Sequence, residues 1–396
     1  MSVLSRAETP EFTVLRLVKR SAQVGAILFS LILILTAVKS VFAQHYKQTN
    51  LVSDVPGKAQ FTDPDLINPW GLDASASGPW WVSDNGTGVS TLYNSAGTKQ
   101  SLIVKVAPPP SAAAASTPTG IVFNNTSDFQ LVANTPSTAA RFIFVTEDGT
   151  ISGWNPSFDP INSIIKVNHT GNAIYKGVTI AQSGGANFLY AANFSGGTVD
   201  VFDKNYGAVT LASGSFTDPE LPDGYAPFNV QNISGDVYVA YAKQDKDKED
   251  EIAGRRLGYV DVYDGAGTLL HRIQHGPWMN APWGLALAPA GFGKASGKLL
   301  IGMFGSGQIA TFNAHNGEFE GLLRGHEHEI RIEGLWALKF GNGGTAGPAT
   351  TLFFTAGIAD EAHGLFGTII ASSKNGDDDD NDNDHDDDDD GDDGGF

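Results

Sequence analysis

Oxygen-bearing side chains gather in six short stretches of this chain: Ser83-Asp84-Asn85-Gly86, Glu147-Asp148-Gly149, Asn193-Phe194-Ser195-Gly196, the run from Lys243 to Arg256, Phe304-Gly305-Ser306-Gly307 and Ala359-Asp360-Glu361-Ala362-His363. Carboxylates and amides of this kind supply the roughly six to eight oxygens that a Ca2+ ion takes. If the stretches meet in space, Asp84, Asn85, Asn193, Asn229, Asp360 and Glu361 are the expected metal ligands, with Asn68 and Asn280 nearby. His363 would then serve as a general base, because an imidazole titrates near neutral pH. Zn2+ is the other metal to weigh, since His326-Glu327-His328-Glu329 contains a His-X-His pair. Such a pair ligates zinc when both side chains face the same way, as alternate residues of a strand do. Asp, Asn and Gly also settle in tight turns for local backbone reasons, so turn chemistry alone accounts for much of this composition.

The elements that must position these residues follow from a repeat. Asn68-Pro69-Trp70-Gly71-Leu72 is echoed by Ala281-Pro282-Trp283-Gly284-Leu285, with weaker copies at Pro118-Thr119-Gly120-Ile121, Tyr175-Lys176-Gly177-Val178, Pro227-Phe228-Asn229-Val230 and Leu335-Trp336-Ala337-Leu338. The small residue or Asn at 71, 120, 177, 229, 284 and 337 recurs at spacings of 49, 57, 52, 55 and 53, the mark of a repeat architecture. Each unit carries short apolar alternations broken by Gly, Asn, Asp and Ser, the pattern of antiparallel strands. The last unit runs one strand short, while residues 46–54 are strand-like and have no place in the first. Pairing that segment into the last unit closes the ring and removes an open edge.

The expected fold is therefore all-β: a six-bladed β-propeller of four-stranded antiparallel blades starting near 68, 118, 175, 227, 281 and 334. Gly at the repeat position would let the inner strands crowd together, and the adjacent Trp would fill space between blades. In such a ring, turns between second and third strands emerge on the same face as the turns entering first strands. All six oxygen-rich stretches would share that mouth. The charged run from Lys243 to Arg256 is either a solvated loop or a flap over it.

Both ends differ from the body. Arg16, Lys19 and Arg20 precede an apolar run from Val24 to Val38, followed by Val41-Phe42-Ala43. At 15 residues the run is shorter than the roughly 20 a spanning helix needs, so residues 1–43 read as a secretory signal cleaved after Ala43. Residues 377–396 include 13 Asp and have almost no apolar surface, the composition of a disordered tail. That tail offers weak cation binding through charge density, but it ends before an EF-hand loop could be completed. Setting both ends aside changes the formal charge from −19 to −9, which excludes nucleic acid as a partner. An exported chain without Cys must hold itself by core burial and closure. No Gly-X-Ser-X-Gly elbow, Walker loop or dinucleotide fingerprint is present, so those acyl-transfer and nucleotide chemistries are excluded.

The stretches Asn68-Pro-Trp-Gly-Leu, Trp80-Trp-Val-Ser-Asp-Asn-Gly-Thr-Gly, Ala281-Pro-Trp-Gly-Leu-Ala-Leu-Ala-Pro-Ala-Gly-Phe-Gly and Glu361-Ala-His-Gly-Leu-Phe-Gly resemble an uncharacterised family of secreted, mostly bacterial proteins. The resemblance spans about residues 46–372 and implies the propeller fold and export. It brings no activity to carry over. More distantly, the units are similar to NHL-type propeller repeats. The expected function is an exported, non-enzymatic, monomeric propeller, secreted or periplasmic, that meets the membrane only during export and binds an extracytoplasmic ligand or protein at its mouth or rim. The alternatives are a Ca2+- or Zn2+-dependent hydrolase of the lactonase or phosphotriesterase-like propeller type, and a Ca2+-sensitive tether acting through the acidic tail.

Overall fold

Short alternating strands separated by Gly- and Asp-rich turns build six antiparallel sheets around one axis, a six-bladed β-propeller with almost no helix. The computed structural model describes residues 45–110, 112–132 and 135–372; the expected signal (1–43) and acidic tail (377–396) lie outside them. The innermost strands are Pro69–Ala74, Pro118–Phe123, Tyr175–Ser183, Tyr225–Ile233, Pro282–Leu287 and Leu335–Phe340. These are the strands the repeat announces.

Closure occurs in the last blade, where His45–Ser53 pairs antiparallel with His363–Ser372 and a short strand, Phe61–Thr62, is added outside it. Tyr46 locks this strand to the fifth blade, its hydroxyl donating to Phe292 O at 3.1 Å and accepting from Ala295 N–H at 2.9 Å. One blade falls short of the expected four strands. In the third, residues 209–212, where a fourth strand would complete the blade, form none, and a single bridge joins Phe202 and Ala208. The segment beyond it, Ser213-Gly214-Ser215, is small and turn-forming and offers nothing to extend the pairing.

The glycines of the repeat earn their place by contact. A Cβ on Gly71 would lie 2.5 Å from Thr119 O, and one on Gly284 would lie 2.6 Å from Trp336 O, both backbone atoms of the next inner strand. The aromatic residues beside them fill the axis rather than the space between blades. In every blade the pairing of first and second strands shifts register at the residue before the repeat position: Trp70, Thr119, Lys176, Phe228, Trp283 and Trp336. A bulge re-aims the side chain it carries. Trp70 accordingly stacks on Trp336 at 3.5 Å and reaches Phe228 and Trp283 in the fourth and fifth blades, both at 6.3 Å. On the other side of this aromatic layer a cavity of about 20 Å³ lies on the axis, lined by Gly71, Gly120, Asn229, Gly284 and Ala337 among others. That volume is about one water molecule.

Candidate functional site

The mouth is built by the same backbone bond in all six blades. The end of each second strand, or the turn just after it, donates to the residue entering the first strand: Asn85 N–H to Asn68 O, Glu147 to Thr117, Phe194 to Ile174, Gln244 to Gly224, Phe304 to Ala281 and Gly357 to Gly334, at 2.8–3.1 Å. These bonds bring the oxygen-rich turns to one face. Three strained residues in succession, Ala359, Asp360 and Glu361, have φ of 55°, 51° and 63°, and Asn68 has φ 45°. Non-glycine residues held in this region point to a constrained site.

At the centre lies Lys176, the one charged member of the six bulge residues. Its side chain is 1% exposed, with Nζ 2.8 Å from Glu147 Oε1 and 3.3 Å from Asp250 Oδ1. The ammonium also sits 5.1 Å over the Trp70 ring and 5.5 Å over that of Phe194. Burial would lower its pKa, but Glu147, Glu251 and Asp250 outweigh that and hold it above the ordinary lysine value. Lys176 therefore stays charged.

Hydrogen bonds extend from it around the mouth. Asn85 Nδ2 donates to Glu147 Oε2 at 2.8 Å, Asn68 Nδ2 to Glu361 Oε2 at 2.7 Å, and Trp336 Nε1 to Asn68 Oδ1 at 3.1 Å. The run from Lys243 to Arg256 folds inward over this centre. Its Glu251–Ile252 pairs with Lys243 and Gln244, Gln244 Nε2 donates to Phe194 O at 2.6 Å, and Gly254 N–H donates to Asn280 Oδ1 at 2.5 Å. Burial pushes the Glu251 carboxyl up to about 8 against the pull of Lys176, so it is largely protonated at neutral pH. Burial raises Glu361 as well, opposed by its bond from Asn68.

The residues expected to bind metal divide. Asn85 and Glu361 belong to the network through Asn68. Asp84 faces away from it, fully buried, with Oδ2 accepting from Thr91 N–H and Oγ–H at 2.9 and 2.8 Å; burial holds its carboxyl well above the usual range. Asn193 is taken up by Asp200 and Gly196 N–H, and Asn229 donates to Trp283 O at 2.8 Å. Asp360 is exposed on its strained turn. His363 pairs through Nδ1 with Asp54 Oδ2 at 2.6 Å, and Gly364 N–H binds the other oxygen of the same carboxylate. His328 is exposed and 3.8 Å from Glu327. Among the described residues, no group of three or more His, Cys, Asp or Glu side chains is arranged to hold a metal ion.

Lys176 is not an oxygen donor, yet the sequence carries its signal. Aligning the repeats places a lysine where three other units have Trp and one has Phe. A charge in an otherwise apolar axial column is an anomaly that needs partners.

No family model matches the sequence. A crystal structure of glucose dehydrogenase shares the fold alone, with a TM-score of 0.52 and 13% identity over 82% of this chain and 100% of that one. Two curated relatives from Acanthamoeba polyphaga mimivirus are closer in sequence. "Uncharacterized protein R648" is 32% identical over 82% of this chain and 80% of its own length, and "Uncharacterized protein L690" is 31% identical over 82% and 86%. With that identity sustained over most of both chains, the protein belongs to the family of these mimivirus proteins.

Proposed function

We propose that this chain is an exported binding propeller whose mouth takes a small anionic ligand on Lys176, with the run from Lys243 to Arg256 as the cover that the ligand displaces. The observation that carries this reading is the contact of Asp250 with Lys176. An acidic side chain 75% exposed reaches the one buried ammonium of the axis, so the cover presents a carboxylate where a ligand's carboxylate or phosphate would sit. A buried charge keeps a partner whenever it can. When Asp250 and Glu251 swing away together, the site loses two acids, and an incoming anion meets Lys176, Asn68 and Asn85. No catalytic group is required by this reading. Export, in turn, rests on the signal-like segment ending at Ala43 and on the resemblance to secreted proteins.

The test is a thermal-shift screen of succinate, citrate and inorganic phosphate. Stabilisation by at least one of them, lost in Lys176→Met, is expected; no shift with any of the three contradicts the reading. Mass spectrometry of exported protein should find Gln44 as the first residue, and retention of residues 1–43 would contradict the export step.

One observation favours a hydrolytic alternative. The Asp54 carboxylate orients His363 through Nδ1, as a general base is commonly held. In that reading Asn85, Asp360 and Glu361 would contribute to a Ca2+ or Zn2+ site. It requires turnover of a lactone or phosphoester that disappears in His363→Ala, together with tightly bound metal after purification.

A further inference from the structure

A second site lies off the axis, in a cleft of about 490 Å³ between the cover segment and the fifth blade. This size is within the range of small-ligand pockets. One wall is apolar, formed by Trp278 and Phe319, which stack at 3.7 Å and 7°. Two arginines, Arg255 and Arg331, also line the cleft. Arg331 is bound to Glu329 at 3.0 Å, and Gln308 Nε2 donates to the same oxygen at 2.7 Å. Arg255 has no carboxylate partner among the described residues, and the cleft thus has an excess positive charge within a body of net charge −9. Ser306 Oγ and Trp278 Nε1 have no protein hydrogen-bond partner, although buried polar groups in folded chains nearly always have one.

We infer that this cleft binds an acidic saccharide, its carboxylate on Arg255 and Arg331 and its ring hydroxyls among Ser306, Gln308 and Glu329. The chemistry selects that class. A planar guanidinium pair recognises a carboxylate in a defined orientation. Hydroxyls both donate and accept, which suits a lining that mixes amide, carboxylate, hydroxyl and indole N–H groups against an apolar wall. A simple anion would use the arginines and leave the rest of the cleft without a role.

The experiment is titration of the full chain, by calorimetry or ligand-observed NMR, with D-glucuronate, D-galacturonate and N-acetylneuraminate, each beside a neutral sugar (D-glucose, D-galactose, N-acetylmannosamine). At least one acid should bind about tenfold more tightly than its neutral counterpart. Arg255→Ala, an exposed position where folding is not at stake, and Arg331→Ala should each remove most of that preference, while Lys246→Ala, at an exposed position of the same segment, should leave it intact. Absence of binding by all three acids, equal binding of the neutral sugars, or unchanged affinity in both arginine variants would overturn the assignment. Loss of binding in Lys176→Met with Arg255→Ala unaffected would move the ligand to the axis and overturn it equally.

Discussion

A lysine at 1% exposure survives on a propeller axis only because acids surround it. Glu147 is the inner partner, with a side chain 26% exposed, and Asp250 the outer one. Removing the ammonium leaves Glu147 without its ion-pair partner, so Lys176→Ala should destabilise the chain by about 3 kcal/mol in urea unfolding. Asp250→Asn should cost less than about 1 kcal/mol, since solvent screens an exposed carboxylate. Equal costs for the two would contradict the described hierarchy. Glu251 makes a separate prediction about pH. Its carboxyl is raised from 4.5 to about 8, so the folded chain keeps a proton that the unfolded chain releases between those values. Stability should therefore fall as pH rises from about 5 to about 8 and then level off. Glu251→Gln has no proton to lose and should flatten that decline. A residual slope is expected from Asp261 and Glu361, raised in the same direction by burial. An unchanged slope in melting temperature would show that Glu251 is not buried as described.

At the scale of the strand, the repeat glycine is a packing requirement. Gly71→Ala puts a methyl group 2.5 Å from Thr119 O and 2.8 Å from Ile121 N, both main-chain atoms that cannot rotate away. Alanine normally favours a strand over glycine, but forced backbone movement should win, with a loss of about 1–3 kcal/mol. Chemical denaturation of Gly71→Ala and Gly284→Ala measures it, and a gain in either would contradict the close approach. This much was legible in the sequence, because the spacing of Gly71, Gly120, Gly177 and Gly284 reports a contact that recurs from blade to blade. The strand alternation likewise placed the mouth turns. Two things were not legible. The direction in which Trp70, Trp283 and Trp336 project depends on a bulge, and a one-residue register shift leaves no trace in an apolar pattern. For residues 243–256 the sequence left a solvated loop and a flap over the mouth both open, and the choice between them depends on where a distant ammonium lies. Asp84 shows the same limit: its place within Trp80–Asp84 buries it against Thr91, although its neighbour Asn85 reaches the mouth.

For the whole molecule, closure replaces the disulfides that this cysteine-free chain lacks. Residues 45–53 pair along the last strand, from His45 with Ser372 to Ser53 with Leu365. Deleting them exposes a long strand edge, and the expected outcome is loss of the single cooperative melt together with aggregation. A monomeric variant with an unchanged transition would contradict closure by this strand. The mouth depends on the same ring, since Lys176 has partners on the second and fourth blades and a ring contact on the first. The run from Lys243 to Arg256 covers Lys176, and amine acylation followed by peptide mass spectrometry measures that cover. Lys176 should be acylated at least tenfold more slowly than the exposed Lys246, in keeping with its burial and its raised pKa. Replacing Asp250 and Glu251 together by Ala should bring its rate to within about threefold of Lys246, leaving the other lysines unchanged. Rapid acylation of Lys176 in the unaltered protein, or no acceleration in the double variant, would contradict the account.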